Sequence, residues 1–392
     1  MNHTRRARAT LAVSCALHFL QDGCSNLLYA LFPIWGREFS LSLFQVGSLR
    51  TAYSGALALL QIPAGLLAER WGEPRVLAAG TVLTGLGFLC LGTAGGFGTL
   101  LIFLILGGLG ASTQHPLASA LVSRAYEDGA RRAALGTYNF SGDLGKAVFP
   151  VCGSLVAAWA GWRWAGRGMG VLVLAAAVGV LIVLTLLGRA AAGTRTEAQA
   201  TDAENGWGIR SIHGFTLLSM IHSIDNGSRT VFLTYLPFLL LGKSLQMNLM
   251  GLALGLTFAG GATGKFVCGL LAQRLGIIRT VILTETATGL GILVLLVLRV
   301  EPILVLLPVL GVALDGTSSV LYGTVAELVV PGRRSRAYGL FYTIGIGSAA
   351  LAPPAFGLLS DWAGVPTMLA VLAGTVFLTV PLAVLLRKSV EP

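Results

Sequence analysis

The sequence predicts an all-α membrane protein whose transmembrane helices form two similar six-helix bundles. Three observations support this prediction: the apolar composition, twelve long apolar segments, and a repeat that relates the two halves of the chain. Of the 392 residues, 55% are hydrophobic and 11% are charged, which is too little charge for the surface of a soluble domain. The 52 glycines fit the same class, because small residues let helices pack closely in lipid.

Twelve apolar segments are long enough to cross about 30 Å of hydrocarbon. They lie at 9–36, 43–68, 74–95, 97–124, 131–159, 165–188, 212–241, 245–274, 277–298, 303–328, 334–361 and 364–387. The only long polar interval follows the sixth segment, and its Ala, Thr, Glu and Gly content is typical of a flexible linker. We therefore predict an amino-terminal bundle over 1–188, a cytoplasmic linker over 189–211 and a carboxy-terminal bundle over 212–392.

A repeat with an offset of 204 residues relates the two bundles. Residues 65–72 return as 269–276, and 269 − 65 = 204. His18, Pro33 and Gly153 are each followed by the same residue type 204 positions later. Two related bundles that face a shared cleft are the architecture of many secondary transporters, and this pattern therefore favours a transporter over an enzyme.

The distribution of basic residues predicts the topology. The net charge of +10 does not indicate a nucleic-acid binder, because the basic residues form short clusters between apolar segments. Of the 27 Lys and Arg residues, eighteen lie at the termini, in the linker and in the loops on one side, whereas the loops on the other side hold five. The positive-inside rule then places both termini and the linker in the cytoplasm. The five cysteines are isolated, and we interpret them as small buried side chains.

The loop after the second segment carries a family motif. Residues 65–75 read Gly-Leu-Leu-Ala-Glu-Arg-Trp-Gly-Glu-Pro-Arg, which resembles the G-x-L-A-D-R-x-G-R motif of the major facilitator superfamily. Glu69 stands where the family has Asp, and the second copy has the uncharged Gln273. The resemblance implies the major facilitator fold of twelve helices, alternating access, and a gate at this loop. The gating residues predicted on this basis are Gly65, Glu69, Arg70, Gly72, Arg75, Arg274 and Glu327.

Within the superfamily, the sequence resembles the fosmidomycin resistance protein group. The resemblance implies an efflux transporter of the bacterial inner membrane, and it leaves the substrate open. Leu117 replaces an acidic residue of that group, and Asp143 and Lys146 stand where neutral residues are expected. The stretches that carry the resemblance are His-Phe-Leu-Gln-Asp at 18–22, Leu-Ser-Leu-Phe-Gln-Val-Gly at 41–47 and His-Pro at 115–116.

Polar and ionisable side chains recur on single faces of the predicted helices. A charge near the bilayer centre costs about 2.5–3.5 kcal/mol or more, so such faces indicate a hydrated cavity or mutual pairing. Asp143 and Lys146, three residues apart, could also form a closed structural ion pair. Glu285 in the ninth segment is interpreted as a packing residue. The predicted substrate-binding residues are Asn26, Arg50, His115, Asn139, Asp143, Lys146, Asn226, Arg229, Lys265, Asp315 and Tyr322.

These residues predict a secondary transporter that moves a small polar or anionic compound, with proton-coupled efflux as the working hypothesis. Desolvation favours the protonated form of a carboxyl group, so Asp22 is the first candidate proton carrier and Asp225 the second. His18 and His222 are placed to relay the proton, or else act as hydrogen-bonding residues between helices. The expected partners are the substrate, protons and membrane lipid. We expect a monomer with no nucleic acid, cofactor or resident metal.

Three alternatives remain open. Proton-coupled uptake of a small organic anion would use the same residues, because the sequence does not fix the direction. A divalent-metal transporter could use the pairs His18/Asp22 and His222/Asp225, although the four cations within the segments would repel the ion. A membrane enzyme or a receptor is the third alternative, but the G-x-S-x-G, H-E-x-x-H, Walker A and Rossmann patterns are all missing from the sequence.

Overall fold

The computed structural model describes residues 3–126, 128–188, 208–330 and 334–390, and these residues confirm the all-α prediction. They form fourteen α-helices and a short 3-10 turn at Met247–Leu249. The helices are α1 (His3–Glu38), α2 (Leu43–Trp71), α3 (Glu73–Leu91), α4 (Phe97–Ala111), α5 (Gln114–Ala125), α6 (Asp128–Ala160), α7 (Trp162–Gly188), α8 (Ile212–Gly242), α9 (Met250–Leu275), α10 (Ile277–Val297), α11 (Val300–Val325), α12 (Arg334–Ala363), α13 (Val365–Phe377) and α14 (Thr379–Val390).

Two of the predicted segments are interrupted helices. The helices α4 and α5 are separated by Ser112 and Thr113, and α13 and α14 by Leu378, yet each pair continues one apolar run. Grouped in this way, the fourteen helices make twelve segments whose ends agree with the predicted ones to within several residues. In the described residues, nine segments are long and apolar enough to cross a membrane. The other three, α1, α6 and α8, carry the polar faces noted above.

The repeated motif ends two equivalent helices in the same way. Gly72 follows α2 and Gly276 follows α9, with φ of +83° and +86°. Residues with a side chain rarely adopt this left-handed region, which explains the glycine in both copies. Each glycine N–H closes its helix by donating to the carbonyl oxygen four residues earlier, at 2.9 Å and 3.1 Å.

The predicted linker, 189–211, lies outside the described residues over 189–207. Its last residues pair with the segment after α11 as an isolated antiparallel bridge between Ile209 and Val329. The Arg210 N–H donates to the Leu328 carbonyl oxygen at 2.9 Å. The described end of the predicted linker is therefore held against the carboxy-terminal half, α8–α14.

The apolar cores show where the amino-terminal half, α1–α7, and the carboxy-terminal half meet. One large core contains residues of both halves, such as Trp35, Tyr53 and Met250. Two smaller cores each belong to one half, around Leu77 and around Phe341. The shared core lies toward the turns at 39–42 and 243–249, which we call the far side. The separate cores lie toward the Trp71–Glu73 turn and the start of α8, which we call the terminus side and which the sequence predicts to be cytoplasmic.

The halves touch along two seams, α2 with α12 and α6 with α9. Toward the far side the helices are in close contact: Gly47 lies against the backbone of Pro353, and the Thr51 hydroxyl donates to the Ala350 carbonyl oxygen. One turn further toward the terminus side, Gly55 and Gly347 have no heavy atom within 4 Å of the position of an added Cβ. The space between the halves therefore opens toward the terminus side.

The far side is closed by a polar contact between the halves. The Asp361 carboxylate, near the end of α12, accepts the N–H groups of Leu43 and Phe44 at 2.7 Å and 2.9 Å. These are the first N–H groups of α2, where the helix dipole favours a negative charge. The Tyr235 hydroxyl lies 3.0 Å from the Leu43 carbonyl oxygen and 2.6 Å from that of Pro353.

Candidate functional site

A cavity of about 490 Å³ lies between the two halves, midway along their helices. Its wall comes from α1, α2, α5, α6, α8, α9, α11 and α12, and none of the described residues that line it belongs to α3, α7, α10, α13 or α14. All eleven predicted substrate-binding residues line the cavity, and their binding role stays a prediction. The other lining residues are His18, Asp22, Ser25, Tyr29, Ser54, Leu57, Thr230, Leu233, Phe258, Ser318, Ser319, Tyr342, Ile346 and Ala349.

Asp22 lies at the centre of the polar wall in the amino-terminal half. Its Oδ2 is 3.4 Å from His18 Nε2 and 3.3 Å from Lys146 Nζ, and its Oδ1 is 3.6 Å from His115 Nε2. These groups come from α1, α5 and α6, and Asp22 is buried. The carboxylate is therefore held by one permanent cation and two groups that can each gain a proton.

A second hydrogen bond fixes which nitrogen of His18 carries a proton. Its Nδ1 is 2.9 Å from the carbonyl oxygen of Tyr138, and a carbonyl oxygen can only accept, so Nδ1 must donate. In the neutral ring, Nε2 then presents a lone pair to Asp22. Two acceptors face each other unless one of them gains a proton. One proton placed between the two atoms would satisfy both acceptors.

Asp143 joins the two halves inside the cavity. It accepts from Lys146 on its own helix at 2.9 Å and from Lys265 of α9 at 2.6 Å and 2.8 Å. The ion pair of Asp143 and Lys146 considered from the sequence exists, but it does not close on itself. Lys146 also reaches Asp22, so the four charges form one chain across the cavity floor.

The wall of the carboxy-terminal half has its own ion pair. Arg229 of α8 donates from Nη1 to the Asp315 carboxylate of α11 at 2.7 Å. Its Nη2 donates to the Asn226 side-chain oxygen. One carboxylate and one amide oxygen therefore hold the guanidinium of Arg229, which lines the cavity.

Arg50 is the cation that lacks an anion. Its Nη1 donates to the carbonyl oxygen and the hydroxyl of Ser25 at 3.0 Å and 3.3 Å, and its Cζ lies 4.6 Å from the centre of the Tyr29 ring. Arg50 forms no ion pair with any residue that the structure describes. The lining contains four cations, Arg50, Lys146, Arg229 and Lys265, and three anions, Asp22, Asp143 and Asp315, so 4 − 3 leaves one positive charge.

Two of the four predicted proton-coupling residues lie away from this wall. His18 and Asp22 line the cavity, whereas His222 and Asp225 do not. His222 is fully buried and stacks on Phe341 with ring centres 4.2 Å apart. Asp225 is buried on the side of α8 that faces α10 and α11, where its carboxyl group meets that of Glu285. The common hydrated space that we expected for all of these groups therefore excludes these two.

Of the four residues predicted to bind a divalent metal, only His18 and Asp22 lie close together. His18, Asp22 and His115 each place one ligand atom within 4.8 Å of the others, and Asp22 is the one acid among these three residues. Lys146 Nζ lies 3.3 Å from the same carboxylate, and its charge would oppose a bound cation. His222 and Asp225 do not reach this cluster, so the predicted shared site between the halves is not assembled in this conformation.

The predicted gating residues lie at the open side. Glu69, Arg70, Arg75, Arg274 and Glu327 are exposed, and Gly65 has no heavy atom within 4 Å of an added Cβ. The neighbouring Glu73 forms an ion pair with Arg124 within the same half. Their gating role stays a prediction. The sequence analysis missed Asp361, which joins the two halves on the opposite side; its position at the predicted end of a helix was the available signal.

Comparisons with known proteins agree with this architecture. The profile of the Major Facilitator Superfamily matches residues 14–242 and 218–392. The fosmidomycin resistance protein of Escherichia coli (strain K12) is 30% identical over 158 residues, which span 40% of this chain and 39% of that protein. The uncharacterized MFS-type transporter YfnC of Bacillus subtilis (strain 168) is 28% identical over 365 residues, 90% of this chain and 87% of that protein.

A solved structure shows the same fold. The crystal structure of a bacterial homologue of the human lysosomal transporter Spinster, in an inward-facing and occupied conformation, superposes with a TM-score of 0.73. The superposition covers 96% of each chain at 14% sequence identity, which shows the fold alone. With the family profile matching both halves, the chain belongs to the Major Facilitator Superfamily of membrane transporters.

Proposed function

We propose that the protein is a proton-coupled exporter of a small polar or anionic compound, working as a monomer by alternating access in the cytoplasmic membrane of a bacterium. The observation that carries the proposal is the unpaired Arg50 in a cavity whose other charges are matched. Arg50 is half-buried and has no counter-ion among the described residues, and an acidic group of a substrate would supply the missing partner. The match to a resistance protein supports the outward direction.

The proton site of this proposal is the pair His18 and Asp22. The tautomer imposed by Tyr138 leaves two acceptors in contact, so a proton binds between them favourably. Lys146 Nζ lies 3.3 Å from the same carboxylate oxygen and competes with the proton for it. The proton and any cationic or hydrogen-bond-donating group of a substrate would compete for the same carboxylate. Such competition is the requirement for proton exchange.

The cavity charge distinguishes the two directions of transport. Protonating Asp22 raises the net charge of the lining from one to two positive charges, and a purely anionic substrate would then bind together with the proton. This arithmetic favours the second candidate function, proton-coupled uptake of a small organic anion. Export by proton exchange requires a substrate whose donor or cationic group replaces the proton at Asp22 while its acidic group binds Arg50.

The decisive experiment measures binding at two pH values and then transport. Purified protein would be screened for thermal stabilisation by fosmidomycin, inorganic phosphate and a series of small carboxylates and zwitterions. Tighter binding at the lower pH would indicate cotransport, and tighter binding at the higher pH would indicate exchange. The stabilising solute would then be followed in proteoliposomes under an imposed pH gradient, with and without a protonophore. Transport that ignores the pH gradient would refute the proton coupling.

The matched variant is Arg50→Gln, which removes the charge and leaves a shorter polar side chain. Stabilisation by an acidic solute should be lost in this variant while the melting temperature without solute stays close to that of the wild type. If Arg50→Gln binds acidic solutes as well as the wild type does, the unpaired cation is not the anchor and the substrate class must be revised.

A further inference from the structure

We propose that Asp225 and Glu285 form a second proton-binding site, in which the Glu285 carboxyl group holds a proton and donates it in a hydrogen bond to the Asp225 carboxylate. The site lies inside the carboxy-terminal half, one layer behind the cavity wall. It deepens the proposed function by adding a proton position, and it can be tested without transport.

The geometry brings two acids together in a closed interior. Asp225 of α8 and Glu285 of α10 are 4% and 2% exposed, and their carboxyl groups lie within hydrogen-bonding reach of each other. Asp225 Oδ2 has no other hydrogen-bond partner in the part of the chain that the structure describes. Two buried carboxylates in contact cannot both be ionised, so the pair must share at least one proton.

The surrounding groups decide which acid holds the proton. Arg229, one turn later on α8, attracts the Asp225 carboxylate electrostatically, and Asp315, which pairs with Arg229, adds a negative charge nearby. Glu285 forms no ion pair with the described residues. Its polar neighbours besides Asp225 are hydroxyl groups: Thr379 donates to Oε2 at 3.4 Å, and Thr317 lies alongside. The acid nearer to the cation is the ionised one, so the proton belongs to Glu285.

The remaining titratable groups around α8 do not change this assignment. His222 lies one turn earlier on α8, within an aromatic environment formed by Phe341 and Tyr322. Both ring nitrogens of His222 are buried without a hydrogen-bond partner among the described residues, which suits a neutral ring. Tyr322 contributes a neutral phenol.

The repeat shows that packing does not require these acids. Subtracting the offset gives 225 − 204 = 21 and 285 − 204 = 81, so the equivalent residues of the other half are Gln21 and Thr81. Gln21 donates to the Tyr53 hydroxyl at 2.9 Å, and Thr81 donates to a carbonyl of its own helix. The equivalent positions of the other half therefore hold neutral side chains, and we assign the two buried acids a purpose beyond packing.

That purpose follows from the position of Arg229. When a conformational change exposes the pair to water and the Glu285 O–H bond breaks, the proton passes to water and the pair carries two negative charges instead of one. Asp225 then attracts Arg229 more strongly and competes with Asp315 for the guanidinium. Arg229 lines the cavity, so the protonation state of the buried pair changes the charge that the cavity presents to a substrate.

Infrared absorption of the purified protein tests the site, because the C=O stretch of a protonated carboxyl group is separate from the bands of carboxylates. At neutral pH we expect one protonated-carboxyl band in the wild type, and its loss in Glu285→Gln. In Asp225→Asn the band should persist at a shifted frequency, since Glu285 keeps its proton and loses only a charged acceptor. In Asp22→Asn, a control at the cavity, the Glu285 band should remain at its original frequency.

A wild-type spectrum without this band at neutral pH would overturn the proposal, and so would a band that survives unchanged in Glu285→Gln. If Glu285→Gln does not fold, Thr379→Val replaces it: removing the hydroxyl that donates to Glu285 should shift the band, and an unshifted band overturns the assignment. None of these measurements uses a substrate, so failure of the proposed transport function would leave their outcome intact.

Discussion

The first helices of the two halves, α1 and α8, share a sequence pattern but face different surroundings. On α1, His18 is hydrogen-bonded to a backbone carbonyl and contacts Asp22 at the cavity wall. On α8, the equivalent His222 is stacked against Phe341 and lies outside the cavity. The amino-terminal half therefore presents a proton-accepting pair to the cavity, whereas the carboxy-terminal half presents the ion pair of Arg229 and Asp315.

A shift of one residue accounts for the different positions of the two acids, Asp22 and Asp225. His18 and Asp22 are four residues apart, close to one helical turn, whereas His222 and Asp225 are three apart. One residue corresponds to about 100° around a helix, so Asp225 points away from the direction that Asp22 takes on α1. The residue equivalent to Asp22 is Asn226, which does line the cavity. Pseudo-symmetry thus preserves the fold of the two halves while their chemistry differs.

The largest expected effect is that of Asp22→Asn. The variant removes the acid from the proton-sharing pair while keeping its shape, so transport driven by a pH gradient should fall to the level of empty liposomes. Exchange of labelled for unlabelled substrate needs no net proton movement and should continue. The measurement is uptake and counterflow in proteoliposomes, using a solute that the binding screen identifies.

The control for Asp22→Asn is Asn226→Asp, which places an acid at the equivalent position of the other half. If the two faces have different tasks, the double variant Asp22→Asn/Asn226→Asp should not regain pH-driven transport. Among the described residues, His222 stacks on Phe341 and has no hydrogen bond that would fix its ring as Tyr138 fixes His18. Recovery of pH-driven transport in the double variant would show that the polar faces of α1 and α8 are interchangeable.

The sequence predicts the cavity wall well, because helical periodicity alone identifies one face. All eleven residues predicted to bind substrate, from α1, α2, α5, α6, α8, α9 and α11, line the cavity, whereas Asp225, predicted to share in proton coupling, does not. The offset of 204 indicates that Asp225 is not the equivalent of Asp22, because it aligns Asp225 with Gln21. The partners of each charge could not be predicted in this way. Whether Asp143 pairs within α6 or reaches Lys265 depends on the tilt of the halves, which no local pattern encodes.

A second prediction concerns Arg50, whose equivalent in the other half is Leu254. Losing a charge-assisted hydrogen bond to a substrate costs about 1.5–3 kcal/mol, so Arg50→Gln should weaken binding of an acidic solute by about 10- to 150-fold. Arg50→Lys should lose less, because the charge remains while the paired donor geometry is gone. Isothermal titration measures both. Equal affinities of wild type and Arg50→Gln would place the anion beside Lys146 or Arg229 instead.

The two seams between the halves offer a smaller test. Asp361 caps α2 across one seam, whereas the equivalent residue at the other seam is Ala157. Asp361→Asn loses the charge of the cap and should destabilise the closed far side by about 1–2 kcal/mol. The population of far-side-open molecules should rise, as measured by the distance between spin labels at that side. Ala157→Asn is the control and should leave the distances unchanged.

The smallest effect is expected for His222→Phe. Neither ring nitrogen of His222 has a hydrogen-bond partner in the described residues, and the ring already packs as an aromatic group against Phe341 and Tyr322. A phenyl ring of similar volume should change the free energy of unfolding by less than about 1.5 kcal/mol and preserve pH-driven transport. The matched variant His18→Phe breaks the bond to Tyr138 and removes the acceptor facing Asp22, so its transport should lose the pH dependence. Similar transport by the two variants would mean that the equivalent histidines share one role after all, and the contrast between α1 and α8 would then reduce to packing.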